Sequence, residues 1–142
     1  MTMSLLDHIE FAVRDADVSR RFYEGALSPL GITRIITVER DRTRNGGLRH
    51  GFGQDGYPCL WIHDNEAPGA GTHIAFAARD RTTVDAFYQA ALQAGGTDNG
   101  PPGVRLNYHA NYYAAYVFGP DGVNVEVVCQ RPGSSGPGQR TA

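Results

Sequence analysis

The chain has 142 residues, 41% of them hydrophobic and 20% charged, with a formal net charge of −2. That length fits one domain or two very small modules sharing a core, and the near-neutral balance offers no electrostatic footprint for nucleic acid or an anionic membrane. No apolar run approaches the roughly 20 residues of a membrane span, and the start Met1–His8 lacks the features of a secretory signal, so the expected location is the cytoplasm.

An internal repeat organises the rest. With Leu5–Gly31 laid over Ala70–Gly96, an offset of 65, His8 falls on His73, Phe11 on Phe76 and Asp15 on Asp80. Phe22, Tyr23, Leu27 and Gly31 likewise match Phe87, Tyr88, Leu92 and Gly96. A repeat of that length sets the architecture before any single element does.

The first copy opens with an alternating strand, His8–Val13, which puts Ile9, Phe11 and Val13 on one face and His8, Glu10 and Ala12 on the other. A helix follows, capped by Asp15 or Asp17, with Val18, Phe22, Ala26 and Leu27 at helical spacing, and it runs out near Gly31. Short strands are expected at Thr33–Val38, about Leu48–Phe52 and Cys59–His63, with turns at Asn45-Gly46 and Asp55-Gly56. Asp64–Gly71 reads as a linker. The second copy begins with His73–Ala78, where Ile74 and Phe76 oppose His73, Ala75 and Ala77. Its helix is expected to start at Thr82, with Asp85 completing the cap, and to bury Val84, Phe87, Tyr88, Ala91 and Leu92. Strands then span about Val104–Tyr108, Tyr113–Phe118 and Val123–Cys129, with a turn at Asp121-Gly122. Arg131–Ala142 is rich in Gly, Pro and Ser and reads as a disordered tail. Cys59 and Cys129 sit in apolar runs and read as reduced, buried small residues.

The fold class is therefore α+β: two tandem βαβββ modules, 5–63 and 72–129, in one domain spanning 1–130. Each module lays one helix on one sheet face, and the bare faces are expected to pair around a shared cavity. His8 and His73 hold equivalent positions on the helix-free side. If Val123, Val125 and Val127 pack under the helix, Glu126 joins them. A lone strand histidine is more often a surface residue than a ligand, but here the repeat fixes the face of each residue independently of any ligand search. A carboxylate among valines also calls for a cation. Two imidazoles and one carboxylate form a set that leaves positions open on one divalent ion, Fe, Mn, Ni or Zn.

The stretches Leu6–Val13, Arg21-Phe-Tyr23, Gly71–Phe76 and Gly119-Pro-Asp-Gly-Val-Asn-Val-Glu126-Val resemble the vicinal-oxygen-chelate superfamily, which includes glyoxalase I, extradiol dioxygenases, fosfomycin-resistance enzymes and bleomycin-resistance proteins. Tyr108–Phe118 is similar to a stretch of uncharacterised bacterial members. The resemblance implies metal ligands at His8, His73 and Glu126. The fourth ligand of glyoxalase I would fall at Trp61, whose indole does not ligate, so the three-ligand members fit better. It also implies bidentate chelation of a small oxygen-rich substrate in a lyase, isomerase or ring-cleavage dioxygenase, and commonly a homodimer with the site shared across the interface. Tyr116 stands ten residues before Glu126, as a Tyr does in the dioxygenases and fosfomycin enzymes. Glu10 is a candidate proton shuttle, and His109 a candidate acid or base. Trp61, His63 and Tyr113 are candidate substrate contacts or cavity wall; His50 is expected at the surface. The competing reading is a metal-free binding protein of the bleomycin-resistance type.

Overall fold

Both helices start in the same way. The Asp15 carboxylate accepts from the backbone N–H groups of Asp17 and Val18 at 3.0 and 3.1 Å, and Asp80 accepts from Thr83 N–H at 2.8 Å, each relieving orphan donors of a first helical turn. A computed structural model describes residues 4–133. Its first half runs β1 (Ile9–Ala12), α1 (Ala16–Leu27), β2 (Thr33–Val38), β3 (Arg49–Gln54) and β4 (Tyr57–His63). The second half runs β5 (His73–Ala77), α2 (Arg81–Gln93), β6 (Thr97–Asp98), β7 (Gly103–Val104), β8 (Tyr113–Phe118) and β9 (Asn124–Cys129). The fold is α+β, with two sheets and two helices. Of the expected tail, residues 134–142 lie outside the described residues.

The first sheet has the order β1-β4-β3-β2 and the second β5-β9-β8-β6, with β7 also on β8. Each opening strand runs parallel to the last strand of its module. Register repeats with the sequence: Glu10 lies opposite Trp61 and Ala75 opposite Glu126, while Gly51 lies opposite Trp61 and Tyr116 opposite Glu126.

Parity settles the two faces. Val13, Leu60, Ile62, Val123, Val125 and Val127 turn inward against Phe22, Tyr23, Leu27, Val84 and Phe87, and both modules contribute to one continuous core. The helices meet at small residues: a Cβ added at Gly25 would come within 2.9 Å of Ala94 Cβ. Arg14 N–H bonds the Asp121 carboxylate at 2.9 Å, tying the end of β1 to the turn before β9. Because the modules join on their helix sides, the other faces remain open within one chain. His8, Glu10, His73, Ala75 and Ala77 are all exposed.

Several expectations need correction. The second helix is capped by Asp80, two residues before Thr82; Asp80 is the repeat mate of Asp15. Val18 is exposed, and Ala16, Ser19 and Tyr23 take its place in the buried stripe. The strand expected over Val104–Tyr108 shrinks to β7, which keeps only Val104 of that span, and β6 is a short strand ahead of it that was not expected. Pro101 and Pro102 lack the N–H groups a ladder needs, and Tyr108 and His109 turn back to bond the Arg105 carbonyl. Cys59 is only half-buried, whereas Cys129 is buried. His50 is buried on the helix side of β3 instead of lying at the surface. Among the described residues, no helix is long and apolar enough to cross a membrane.

Candidate functional site

Strand alternation in β9 puts Glu126 on the helix-free face, yet the residue is only 3% exposed. The turn 105–112 covers it. From that turn Tyr112 sends its hydroxyl to Glu126 Oε2 at 2.5 Å, and the Tyr108 ring packs against Tyr112. Glu126 Oε1 faces His73 Nε2 at 3.1 Å. On the far side of that imidazole, Nδ1 lies 3.0 Å from the Asn124 carbonyl oxygen, and Tyr116 stacks nearly parallel to the ring, at 22°. Burial, reinforced by the Glu126 charge, pushes the Tyr112 and Tyr116 hydroxyls above their usual range.

A carbonyl oxygen only accepts, so His73 Nδ1 carries the proton and Nε2 turns its other valence toward Glu126. Two acceptor atoms cannot face each other at that distance without a cation between them, either a proton or a metal ion. Ligand atoms about 2.1 Å from an ion and at right angles stand about 3 Å apart, which matches the pair. His8 is oriented in a similar way. Its Nδ1 bonds Asp7 at 2.6 Å, Tyr57 holds the same carboxylate, and Nε2 is left available. Such outer partners fix the ring orientation of metal-ligating histidines. Among the described residues, however, no three His, Cys, Asp or Glu side chains of one chain stand close enough to hold an ion. His73 and Glu126 converge; His8 stays with the other module.

The helix-free face of the first sheet carries a different cluster. Arg49 grips Glu10 with two hydrogen bonds of 2.8 Å and lies over the Trp61 ring at 4.0 Å. His63 sits between Glu10 Oε2, 2.7 Å from Nδ1, and Glu66 Oε2, 2.9 Å from Nε2. The Arg49 hydrogen bonds hold the Glu10 carboxyl below the usual range against the opposing effect of desolvation, and His63 adds to this. A carboxylate held that low is a weak base.

Tyr113 does not line this site. It shares a face with Ala115 and Val117, and its hydroxyl bonds Asp85 of α2 at 2.6 Å; burial, with Asp85, pushes it up to about 12. Tyr112, which sequence reasoning passed over, reaches the carboxylate because the chain turns before β8 begins. His109 spends both ring nitrogens on local structure: Nε2 on Gln130, and Nδ1 accepting from Asn111 N–H.

A family model described as the Glyoxalase/Bleomycin resistance protein/Dioxygenase superfamily matches residues 5–127. The chain belongs to this superfamily. Among solved structures similar to it is a glyoxalase/bleomycin resistance protein from Albidiferax ferrireducens T118, 29% identical, with 91% of this chain and 100% of that one covered and a TM-score of 0.70. A glyoxylase/bleomycin resistance protein/dioxygenase domain from Frankia sp. EAN1pec is 16% identical, covers 92% and 100%, and scores 0.67. A glyoxalase I mutant from Zea mays is 21% identical, with 87% of this chain and 46% of that one covered, at 0.64. The last two show the fold alone. No curated protein matches the chain. Within the superfamily fold, the His73–Glu126 pair is fixed in orientation by Asn124 and Tyr112.

Proposed function

We propose that this superfamily member is a metal-dependent enzyme acting on a small oxygen-rich substrate, and that it works as a homodimer. His73 and Glu126 of one chain and His8 of a second copy would hold one divalent ion. The observation that carries this reading is the Nε2–Oε1 approach of 3.1 Å, with His73 braced from behind by the Asn124 carbonyl, which accepts from Nδ1, and Glu126 by the Tyr112 hydroxyl, which donates to Oε2. The open helix-free faces of both sheets supply the reason for a second copy: facing sheets bury what one chain leaves exposed and bring the remaining histidine into range.

A bound divalent ion would supply Lewis-acid polarisation of two adjacent substrate oxygens. This chain's own residues do the rest. Asn124 holds the imidazole tautomer, Tyr112 anchors Glu126 through Oε2 and leaves Oε1 directed outward, and Tyr116 lines the open side beside His73 with a hydroxyl donor. Trp61 occupies the repeat position of Glu126 in the first module with an apolar wall, so the donor set has three members. Proton transfer is assigned to Tyr116, since Glu10 is clamped by Arg49.

Elemental analysis of mildly purified protein tests this. One divalent ion per chain is expected, lost in Glu126→Gln, with aerobic and anaerobic assays against catechols and hemithioacetals sorting the chemistry. Protein without metal, unresponsive to added Fe(II), Mn(II), Ni(II) or Zn(II), would leave the metal-free binding reading, in which a proton bridges His73 and Glu126.

A further inference from the structure

A cleft of about 500 Å³ opens beside the Glu10–Arg49–His63 cluster, between the segment after β2 and the start of the linker. That volume suits a metabolite-sized ligand. Charge in it is unevenly settled. Glu10 is taken by Arg49 and Glu66 by His63, while Arg42 and Arg44, both exposed on the rim, have no acidic partner among the described residues. Asn45, Asn65 and Thr43 complete a lining rich in side-chain hydrogen-bonding groups.

The rim is also held in place. Arg40 grips Asp64 with two bonds of 2.9 and 2.7 Å, Asp64 accepts Leu48 N–H at 2.9 Å, and Thr43 donates to the Gly47 carbonyl at 2.7 Å. A Cβ at Gly47 would meet Asn65 Cβ at 2.5 Å, so the segment lies directly on the linker. Two guanidinium groups on an anchored rim, beside a floor where Glu10 is already taken by Arg49, make a receptor for one small oxyanion. They are too few and too local for a polyanion.

We infer that this cleft binds a small organic anion, with Arg42 and Arg44 holding its carboxylate or phosphate group. The inference deepens the proposed function by naming the substrate class, since the cleft lies on the same sheet face as His8; its binding step needs no ion. The test therefore uses metal-stripped full-length protein, so that failure here and failure of metal binding are separate results. Inorganic phosphate, propionate and the uncharged propionamide are titrated at low ionic strength while the backbone signals of residues 42–47 are followed by NMR. Phosphate or propionate, whichever head group fits, is expected to shift those signals and propionamide to leave them still. R42Q/R44Q is expected to weaken binding about tenfold, R42K/R44K to retain part of it, and Glu10→Gln, which frees the Arg49 charge, to tighten it severalfold. Equal response to propionamide, no response to either anion, or an affinity unchanged in R42Q/R44Q overturns the inference.

Discussion

Trp61 and Glu126 are one position of the repeat, each lying on the last strand of its module opposite the residue two after a first-strand histidine. The first module has spent that position on an indole that carries Arg49 on its face. Each module thus brings a histidine, but only the second brings a carboxylate from its last strand to meet it. The asymmetry explains why His73 meets Glu126 across its sheet while His8 pairs only with its neighbour Asp7.

Tyr112 and Tyr113 are adjacent, yet their hydroxyls go to opposite faces, one to Glu126 and one to Asp85. Tyr112→Phe removes the donor that braces the carboxylate, and metal affinity should fall by about 10- to 100-fold. Tyr113→Phe should cost about 1 kcal/mol of stability through the lost bond to α2 and leave metal affinity alone. Chelator competition paired with urea unfolding separates the two; equal affinity in both variants would remove Tyr112 from the site.

Gly53 lies at an irregularity in the β3–β4 pairing, where a Cβ would fall 1.8 Å from the Tyr57 carbonyl oxygen. No rotamer change relieves a clash with backbone. Gly53→Ala should destabilise the protein by about 3 kcal/mol or more, visible as a lower urea midpoint with an unchanged slope. A midpoint near that of the parent would show that the hairpin gives way more readily than its register implies.

Legibility followed periodicity. The offset of 65 carried far enough to place β1, β5 and both helices, to put Trp61 at the position of Glu126, and to set the helix-free face, because each depends on alternation that a one-residue slip would invert. It even contained the Asp80 cap, which local preference for Thr82 obscured. What escaped lay where periodicity stops. The turn 105–112 follows two prolines, and its counterpart 40–47 in the first module carries no tyrosine, so the repeat did not announce that Tyr112 would fold over Glu126. The pairing of Glu10 with Arg49 was hidden for another reason: strand order β1-β4-β3 decides which side chains become neighbours, and order is not written in any one strand.

His50 gives the fold an acid sensitivity. Its ring is buried on the helix side of β3, bonded through Nδ1 to Thr37 at 2.9 Å. Burial lowers its pKa from the ordinary 6.5, with Arg20 and Arg34 adding to the effect and Asp17 opposing it. The unfolded chain therefore binds a proton that the folded chain refuses. The stability held above pH 6.5 is lost as pH falls from there through the depressed folded value. His50→Gln should flatten the thermal midpoint over that window. An identical slope in variant and parent would assign the acid loss to other groups.

The proposed shared ion site makes its sharpest prediction in mixtures. His8→Ala and Glu126→Gln should each bind no metal as pure homodimers, since either change damages both sites. In a mixed dimer one site receives both substitutions and the other receives neither: His8 comes from the Glu126→Gln chain, and His73 with Glu126 from the His8→Ala chain. Random pairing makes half the dimers mixed, so roughly a quarter of all sites should bind metal again after the two variants are unfolded and refolded together. Refolding each variant alone controls for scavenged ion. If all ligands came from one chain, every chain in the mixture would carry a defect and no metal would return.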